Sequence, residues 1–234
     1  MRLSRGSRSV AAAVLVAALT ALSVPARADD AMDARQLVER AKLSFEGMIA
    51  APEMDGLRDL IRRAKGVFIA PQVLRGAFIF GVSGGSGVFF ARGEQPGQWN
   101  GPAFYTIGEV SFGFQAGADA SEVALLAMTE RGVNALLSPS FKLGADASVA
   151  AGPVGVGVRA ATANISADIV SFSRSKGLYG GVSVDGAVVA TRGALNTAYF
   201  GKDVSTRDIL IRGTASNPQA APLVELIKKA AEAP

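Results

Sequence analysis

Gly66-Val-Phe-Ile-Ala-Pro-Gln-Val-Leu-Arg-Gly-Ala-Phe-Ile-Phe-Gly-Val-Ser-Gly-Gly-Ser-Gly-Val-Phe-Phe-Ala-Arg92 is where the chain changes its grammar. Val67–Ala70, Gly76–Val82 and Gly87–Arg92, and then Ala103–Gln115, are runs of β-branched and aromatic residues separated by Gly, Pro and Asn. No regular helix intervenes, so the strands should follow one another through tight turns in a mostly antiparallel sheet, not a doubly wound parallel one. Glu122–Met128 suits a buried strand or a helix start, and Thr129–Leu137 reads as a helix stopped by Ser138-Pro139. Phe141–Arg159 and Ile165–Arg192 read as further β stretches, broken at Gly152-Pro153, Lys176-Gly177 and Asp185-Gly186. The Asp-Gly pair between Val182-Ser183-Val184 and Val188-Val189 is a hairpin signal.

Helices flank this body. From Ala31 to Ala50, Ala34, Leu37, Val38, Ala41, Phe45, Met48 and Ile49 form one apolar stripe, and Pro52 ends it. The spacing of Leu57, Leu60, Ile61 and Ala64 predicts a second helix over Asp55–Lys65 with Gly66 as its stop. Asn217-Pro218 opens a last helix, Gln219–Ala231. The 27 glycines are well above the usual ~7% of residues. They are interleaved with Val, Ala and Phe, as where strands cross closely. The expected fold is therefore α+β: a Gly-rich, mostly antiparallel β body, barrel-like or a sandwich, between N- and C-terminal helices.

The 234 residues contain no Cys and no His. That excludes a Ser-His-Asp triad, an imidazole or thiolate metal site and a disulfide framework. The pI of about 9.6 suggests a nucleic-acid binder, but the basicity is local. Residues 1–28 carry Arg2, Arg5, Arg8 and Arg27 and no acid, which leaves 20 basic against 20 acidic residues in 29–234. No nucleic-acid partner is expected. Those first 28 residues read as a cleaved signal peptide: a basic start, the apolar run Val10–Leu22, then Ala26-Arg27-Ala28 before Asp29-Asp30. The remainder, 29–234, reads as a single domain, exported to a bacterial periplasm and peripheral on a membrane there.

Little in the chain suggests catalysis. Gly81-Val-Ser-Gly-Gly-Ser-Gly87 could cradle a phosphate, but it lacks the Gly-Lys-Ser/Thr of a phosphate loop and reads first as a hairpin connection. Asp119, Glu122, Glu130, Asp146, Asp168 and Asp185 are scattered singly, and Ser83, Ser86, Ser138 and Ser173 have no histidine base. A Ser173 or Ser175 partnership with Lys176 is disfavoured, since neighbours in a strand face opposite ways. No catalytic residue, metal or cofactor is expected.

The basic cluster says more. Arg58, Arg62, Arg63, Lys65 and Arg75 face only Asp59 between positions 58 and 75, and long basic side chains beside an apolar stripe suit a membrane surface as well as a solvated helix face. Leu60-Ile-Arg-Arg-Ala-Lys-Gly-Val-Phe-Ile-Ala-Pro71 and Gly81–Val88 with Arg92 resemble the opening of the SYLF lipid-binding domain family. Trp99-Asn-Gly-Pro102, Gly113-Phe-Gln-Ala-Gly117, Phe172-Ser-Arg-Ser-Lys-Gly-Leu178, Gly181-Val-Ser-Val-Asp-Gly186, Tyr199-Phe-Gly201 and Asp208-Ile-Leu210 extend that resemblance in order over roughly Leu37 to Gly213. It departs at Glu53-Met54, where members commonly carry Ile-Pro. The resemblance implies phospholipid binding, phosphoinositides in eukaryotic members, some of which also bind actin and carry an SH3 or zinc-finger module. Applied to an exported bacterial chain it implies an anionic phospholipid partner at a membrane surface. Arg58, Arg62, Arg63, Lys65 and Arg75 would make the contacts, with Arg174 and Lys176 as a second cluster. The alternatives are a structural or envelope-stress interaction protein and a carrier that encloses an acyl chain. Protein partners are not legible.

Export through a cleaved leader makes Asp29 the expected N-terminus of the mature protein. Intact-mass measurement on the periplasmic fraction checks it, and a species retaining residues 1–28 contradicts it.

Overall fold

The computed structural model describes residues 26–77, 80–112, 117–155, 166–175, 178–180 and 184–233. The apolar run of the leader and the 156–165 segment lie outside them, as do Lys176-Gly177 and residues 181–183.

Helix α1 (Ala26–Ala50) leads through a 3-10 turn at Pro52–Met54 into α2 (Asp55–Ile61). Four long strands follow: β1 (Gly66–Ala77), β2 (Phe80–Arg92), β3 (Trp99–Phe112) and β4 (Gly117–Ala127). Then come α3 (Glu130–Leu137), β5 (Ser140–Lys142), β6 (Val149–Ala151), β7 (Ile169–Ser175), β8 (Leu178–Gly180) and β9 (Val188–Thr191). Three helices close the chain: α4 (Gly193–Phe200), α5 (Thr206–Leu210) and α6 (Ala221–Glu232). The strands form a curled half-barrel sheet in the order β5-β9-β3-β2-β1-β4-β7-β6, with β8 beside β7. Among the described strands every pairing is antiparallel except β6 with β7. The expected α+β class, with its Gly-rich antiparallel body and terminal helices, is what the chain adopts.

Both faces of the sheet are buried at its base, and the period-2 alternation sorts side chains between them. Val67, Ile69, Val88, Phe90, Phe104, Ala124, Leu126, Val170 and Phe172 pack under α1, α2, α4 and α6. Phe68, Ala70, Phe89, Tyr105, Val123 and Leu125 pack on the other side against α3, α5 and the 184–187 turn. Phe68 and Phe89 stand directly opposite each other. Phe68 lies over Gly87, and Phe89 over Gly66, where an added Cβ would come within 2.4 and 2.3 Å of the rings. Both rings meet Tyr105 edge-on at 6.3 and 6.4 Å, and the Tyr105 hydroxyl donates to the Leu136 carbonyl at 2.5 Å.

Pro71 falls inside β1, not after it. Proline cannot donate to a ladder, and the strand absorbs it as a bulge between Ile69 and Gln72 against β2 and between Ala70 and Val73 against β4. The extra residue reverses the alternation. Ala70 and Val73 share a face, so Arg75 follows them into a cleft with Ser83 and Ile107, while Leu74 lines a groove beside Leu37 and Arg40 of α1.

Several expectations are corrected. The first helix starts at Ala26, not Ala31, and the second ends at Ile61, four residues early. β1 runs to Ala77 and β2 starts at Phe80, so the run Gly76–Val82 is divided between two strands, and the glycine-rich stretch 81–87 belongs to β2. Among the described residues, the β stretches 141–159 and 165–192 hold strands of three to seven residues. One interruption is the turn after β5, where Lys142 N donates to the Asp146 carboxylate at 2.7 Å and Gly144 takes φ 84°. Asp185-Gly186 does form a tight turn, with Ala187 N donating to Val184 O at 3.0 Å. The strand after it, β9, pairs with β3 and β5.

Asp168 binds the short strands together. Its carboxylate accepts from Thr129 Oγ1 at 2.6 Å, Ser148 Oγ at 2.8 Å and Ser148 N at 3.0 Å, which ties the start of α3 to β6 and β7. The Thr129 hydrogen bond, ahead of those from Ser148 and the nearby Arg131 charge, holds this carboxyl below the usual carboxylate range. Its stabilising contribution is therefore complete above the unfolded value near 3.9 and is lost as pH falls through the lower folded value. Asp168→Asn should cost about 1–3 kcal/mol at neutral pH. In denaturant titrations the gap from wild type should close as pH falls below about 4; a gap that stays constant contradicts this role.

Candidate functional site

The cations singled out in the sequence fall into three places. Four of them gather at a corner where α2 ends and β1 begins. Arg63 N and Ala64 N close the last turn of α2 on the carbonyls of Leu60 and Ile61, at 3.0 and 3.2 Å. Lys65 N then joins the sheet by donating to Ala127 O at 2.8 Å.

Arg58 is turned back towards the end of α1. Its guanidinium donates to the carbonyls of Ile49 at 2.8 Å, Ala51 at 2.6 Å and Pro52 at 3.2 Å, and it pairs with Asp55. It thus satisfies carbonyls that the end of a helix leaves without intrahelical partners. Arg62 pairs with the buried Asp59 at 2.5 Å and reaches Ala233 O at 3.4 Å. Lys65 meets Glu130 of α3 at 2.7 Å, the lysine side chain about half exposed and the glutamate largely in solvent. Arg63 is exposed. The corner therefore holds four cations and three carboxylates, Asp55, Asp59 and Glu130. Counting charges along the chain missed Glu130, which arrives from 65 residues away.

The other two places are separate. Arg75 is exposed and lines the cleft with Ser83 and Glu109. Arg174 pairs with Glu122 beneath α1, where an added Cβ on Gly47 would come within 2.6 Å of Arg174 Nη1. Arg75 and Arg174 face opposite sides of the sheet. Ser121, a cleft residue like Arg75, is opposite Ser175, and alternation puts Arg174 on the other side. Lys176 lies outside the described residues.

Arg92 is the organising residue that charge counting overlooked. Its Nε donates to Ala64 O at 3.0 Å, and Nη2 donates to Ile61 O at 3.3 Å and Arg62 O at 3.2 Å. Its guanidinium stacks 4.7 Å from the centre of the Trp99 ring. One side chain on β2 thus caps α2 and fixes the corner against the sheet.

The expected chemistry-bearing groups are engaged structurally. Ser175 Oγ donates to Asp119 at 2.6 Å, Glu122 and Glu130 hold Arg174 and Lys65, and Asp168 has the network above. Among the described residues no group of three or more acidic side chains is placed to hold a metal ion. Among the same residues, no helix is long and apolar enough to cross a membrane.

Residues 108–230, a little over half of the chain, match the family described as Ysc84, Las17-binding protein actin regulator. Protein YSC84 of Saccharomyces cerevisiae is 31% identical over 177 residues, 74% of this chain and 37% of that protein. The human SH3 domain-containing YSC84-like protein 1 is 31% identical over 170 residues, 72% of this chain and 49% of the relative. LAS seventeen-binding protein 3 of Saccharomyces cerevisiae is 30% identical over 177 residues, covering 74% of this chain and 38% of its own. The chain thus spans between about a third and a half of the length of these relatives.

Proposed function

The chain belongs to the Ysc84 family, and from that premise we propose that it is a non-enzymatic domain that binds anionic phospholipid at a membrane surface of the bacterial envelope, after export to the periplasm. The observation that supports this reading is the corner at the end of α2. Arg63 and Lys65 are presented there on a rigid junction of helix and strand, held from below by Arg92 and Arg58. The Lys65–Glu130 pair is exposed on both sides, and pairs of that kind are worth only ~0–1 kcal/mol. A lipid phosphate can replace Glu130 as the partner of Lys65 at little cost. Arg58 and Arg62 are only about a third exposed, whereas Arg63 is exposed and Lys65 sits in a solvent-exposed pair, so the contact falls chiefly to Arg63 and Lys65.

A second reading has a specific observation behind it. The matched family is described as Las17-binding and actin-regulating, which favours a protein partner over a lipid. On an exported chain that partner would belong to the envelope, as a structural or stress-response protein would require.

Vesicle co-sedimentation separates the two. Wild type should pellet with vesicles containing phosphatidylglycerol and less with phosphatidylcholine alone. Arg63→Gln/Lys65→Gln should weaken the phosphatidylglycerol-dependent part by roughly 10- to 30-fold, from two attractive terms of about 1 kcal/mol each. Binding should also fall as salt shortens the Debye length from ~10 Å at 0.1 M to ~3 Å at 1 M. Equal pelleting of the two proteins, or indifference to lipid charge, overturns the corner as a lipid site and favours the protein-partner reading.

A further inference from the structure

The four long strands carry one charged row across the sheet. Ser83 on β2 is opposite Glu109 on β3, and Arg75 on β1 is opposite Ser83 on one side and Asp119 of β4 on the other. Directly opposed residues of an antiparallel ladder project from the same face. Glu109, Ser83, Arg75 and Asp119 therefore run in line at the ~4.8 Å strand spacing: acid, hydroxyl, base, acid. Ser83, Arg75 and Glu109 line a cleft whose floor is apolar, with Val73, Ile107 and Val123 on the sheet and Val184 across from them. The cavity within it is about 20 Å³, close to one water.

The members of the row differ in how they are held. Asp119 accepts from Ser121 Oγ at 3.1 Å and Ser175 Oγ at 2.6 Å. Beyond the backbone ladder, the side chains of Arg75 and Glu109 make no hydrogen bond or ion pair with any described residue. A cation and an anion whose side chains have no partner among the described residues thus flank one serine hydroxyl on the same cleft. A purely anionic ligand would gain Arg75 and meet two carboxylates. A purely cationic ligand would gain Glu109 and meet the guanidinium. A group carrying both charges is matched on both sides.

We propose that this row takes the head group of a zwitterionic phospholipid bearing a primary ammonium. The phosphate would lie on the Arg75 guanidinium and the Ser83 hydroxyl, with the ammonium on the Glu109 carboxylate. The small cavity leaves the acyl chains outside, in the bilayer. No aromatic ring lines this cleft among the described residues. A quaternary ammonium is typically recognised by an aromatic cage, whereas a primary ammonium can donate charge-assisted hydrogen bonds to a carboxylate. The inference rests on the membrane-surface reading above but not on its corner, since nine residues of β1, ~30 Å, separate Gly66 from Arg75.

The test uses the full chain with vesicles of phosphatidylcholine alone, phosphatidylcholine with phosphatidylethanolamine, and phosphatidylcholine with phosphatidylglycerol. Wild type should bind the phosphatidylethanolamine vesicles better than phosphatidylcholine alone, and soluble phosphoethanolamine should compete. Arg75→Gln and Glu109→Gln should each reduce that preference about 5- to 10-fold, with melting temperatures unchanged. Thr106→Ala, exposed on the opposite face of β3, should leave the preference intact and controls for general loss of fold. The sign of Glu109→Gln is decisive: a site for anions alone would bind more tightly once that carboxylate is neutral. Unchanged or tighter binding of phosphatidylethanolamine vesicles by Glu109→Gln, or no preference in wild type, overturns the proposal. If that happens while phosphatidylglycerol binding still depends on Arg63 and Lys65, only this inference falls; if both dependences are missing, the membrane-surface reading falls with it.

Discussion

Phe68 and Phe89, opposed on neighbouring strands, each lay a ring over a glycine of the other strand, and the rest of the β body is arranged around that fit. Both rings are fully buried, at ~1.5–3 kcal/mol for a side chain of that size. Either ring would collide with any side chain larger than hydrogen at Gly87 or Gly66. The register of β1 on β2 is thereby specified by shape as well as by the ladder. A one-residue slip would exchange the faces of the strand and put Phe68 under α1 and α2. Tyr105 then closes the cluster edge-on from β3, and its hydroxyl fixes α3 over the same face.

From that locked base two features reach the surface. Upstream, Gly66 is also the first residue of β1, so the ring that demands a glycine there helps set where the strand begins, next to the α2 end that Arg92 caps. Downstream, the Pro71 bulge reverses the alternation and sends Arg75, not Leu74, to the cleft face. A proline that would ordinarily end a central strand here decides which charge the sheet presents. The position of both proposed surface sites follows from local backbone geometry, not from the net charge of the chain.

Much of this was legible and some of it was not. Alternating apolar residues revealed the long strands, and the Asn217-Pro218 start revealed the last helix, because both signals are local. The glycine excess was legible as close crossing, but which ring covers which glycine depends on register. α4 and α5 went unread, although Ser205 and Asp208 form a reciprocal capping box visible as Ser-x-x-Asp. α4 docks through Asn196, whose side-chain oxygen accepts from Phe104 N at 2.9 Å, a contact across 92 residues that no local pattern encodes. At the candidate site the four cations from Arg58 to Lys65 were legible as a cluster. Their carboxylate partners, and the separation of Arg75 and Arg174 onto opposite faces, required the pairing of β1 with β4 and of β4 with β7.

The ring–glycine fit can be isolated with a double-mutant cycle on Gly66 and Phe89, followed by chemical denaturation. Gly66→Ala alone should cost about 1–3 kcal/mol from overpacking, and Phe89→Ala alone about 3–5 kcal/mol from the cavity it leaves. If the Phe89 ring is what forbids a side chain at position 66, the cost of Gly66→Ala should fall by at least ~1 kcal/mol in the Phe89→Ala background. Additive costs, within a few tenths of a kcal/mol, would show that the two positions do not constrain each other and would remove the lock from which the β1–β2 register, and the placement of both proposed sites, are derived.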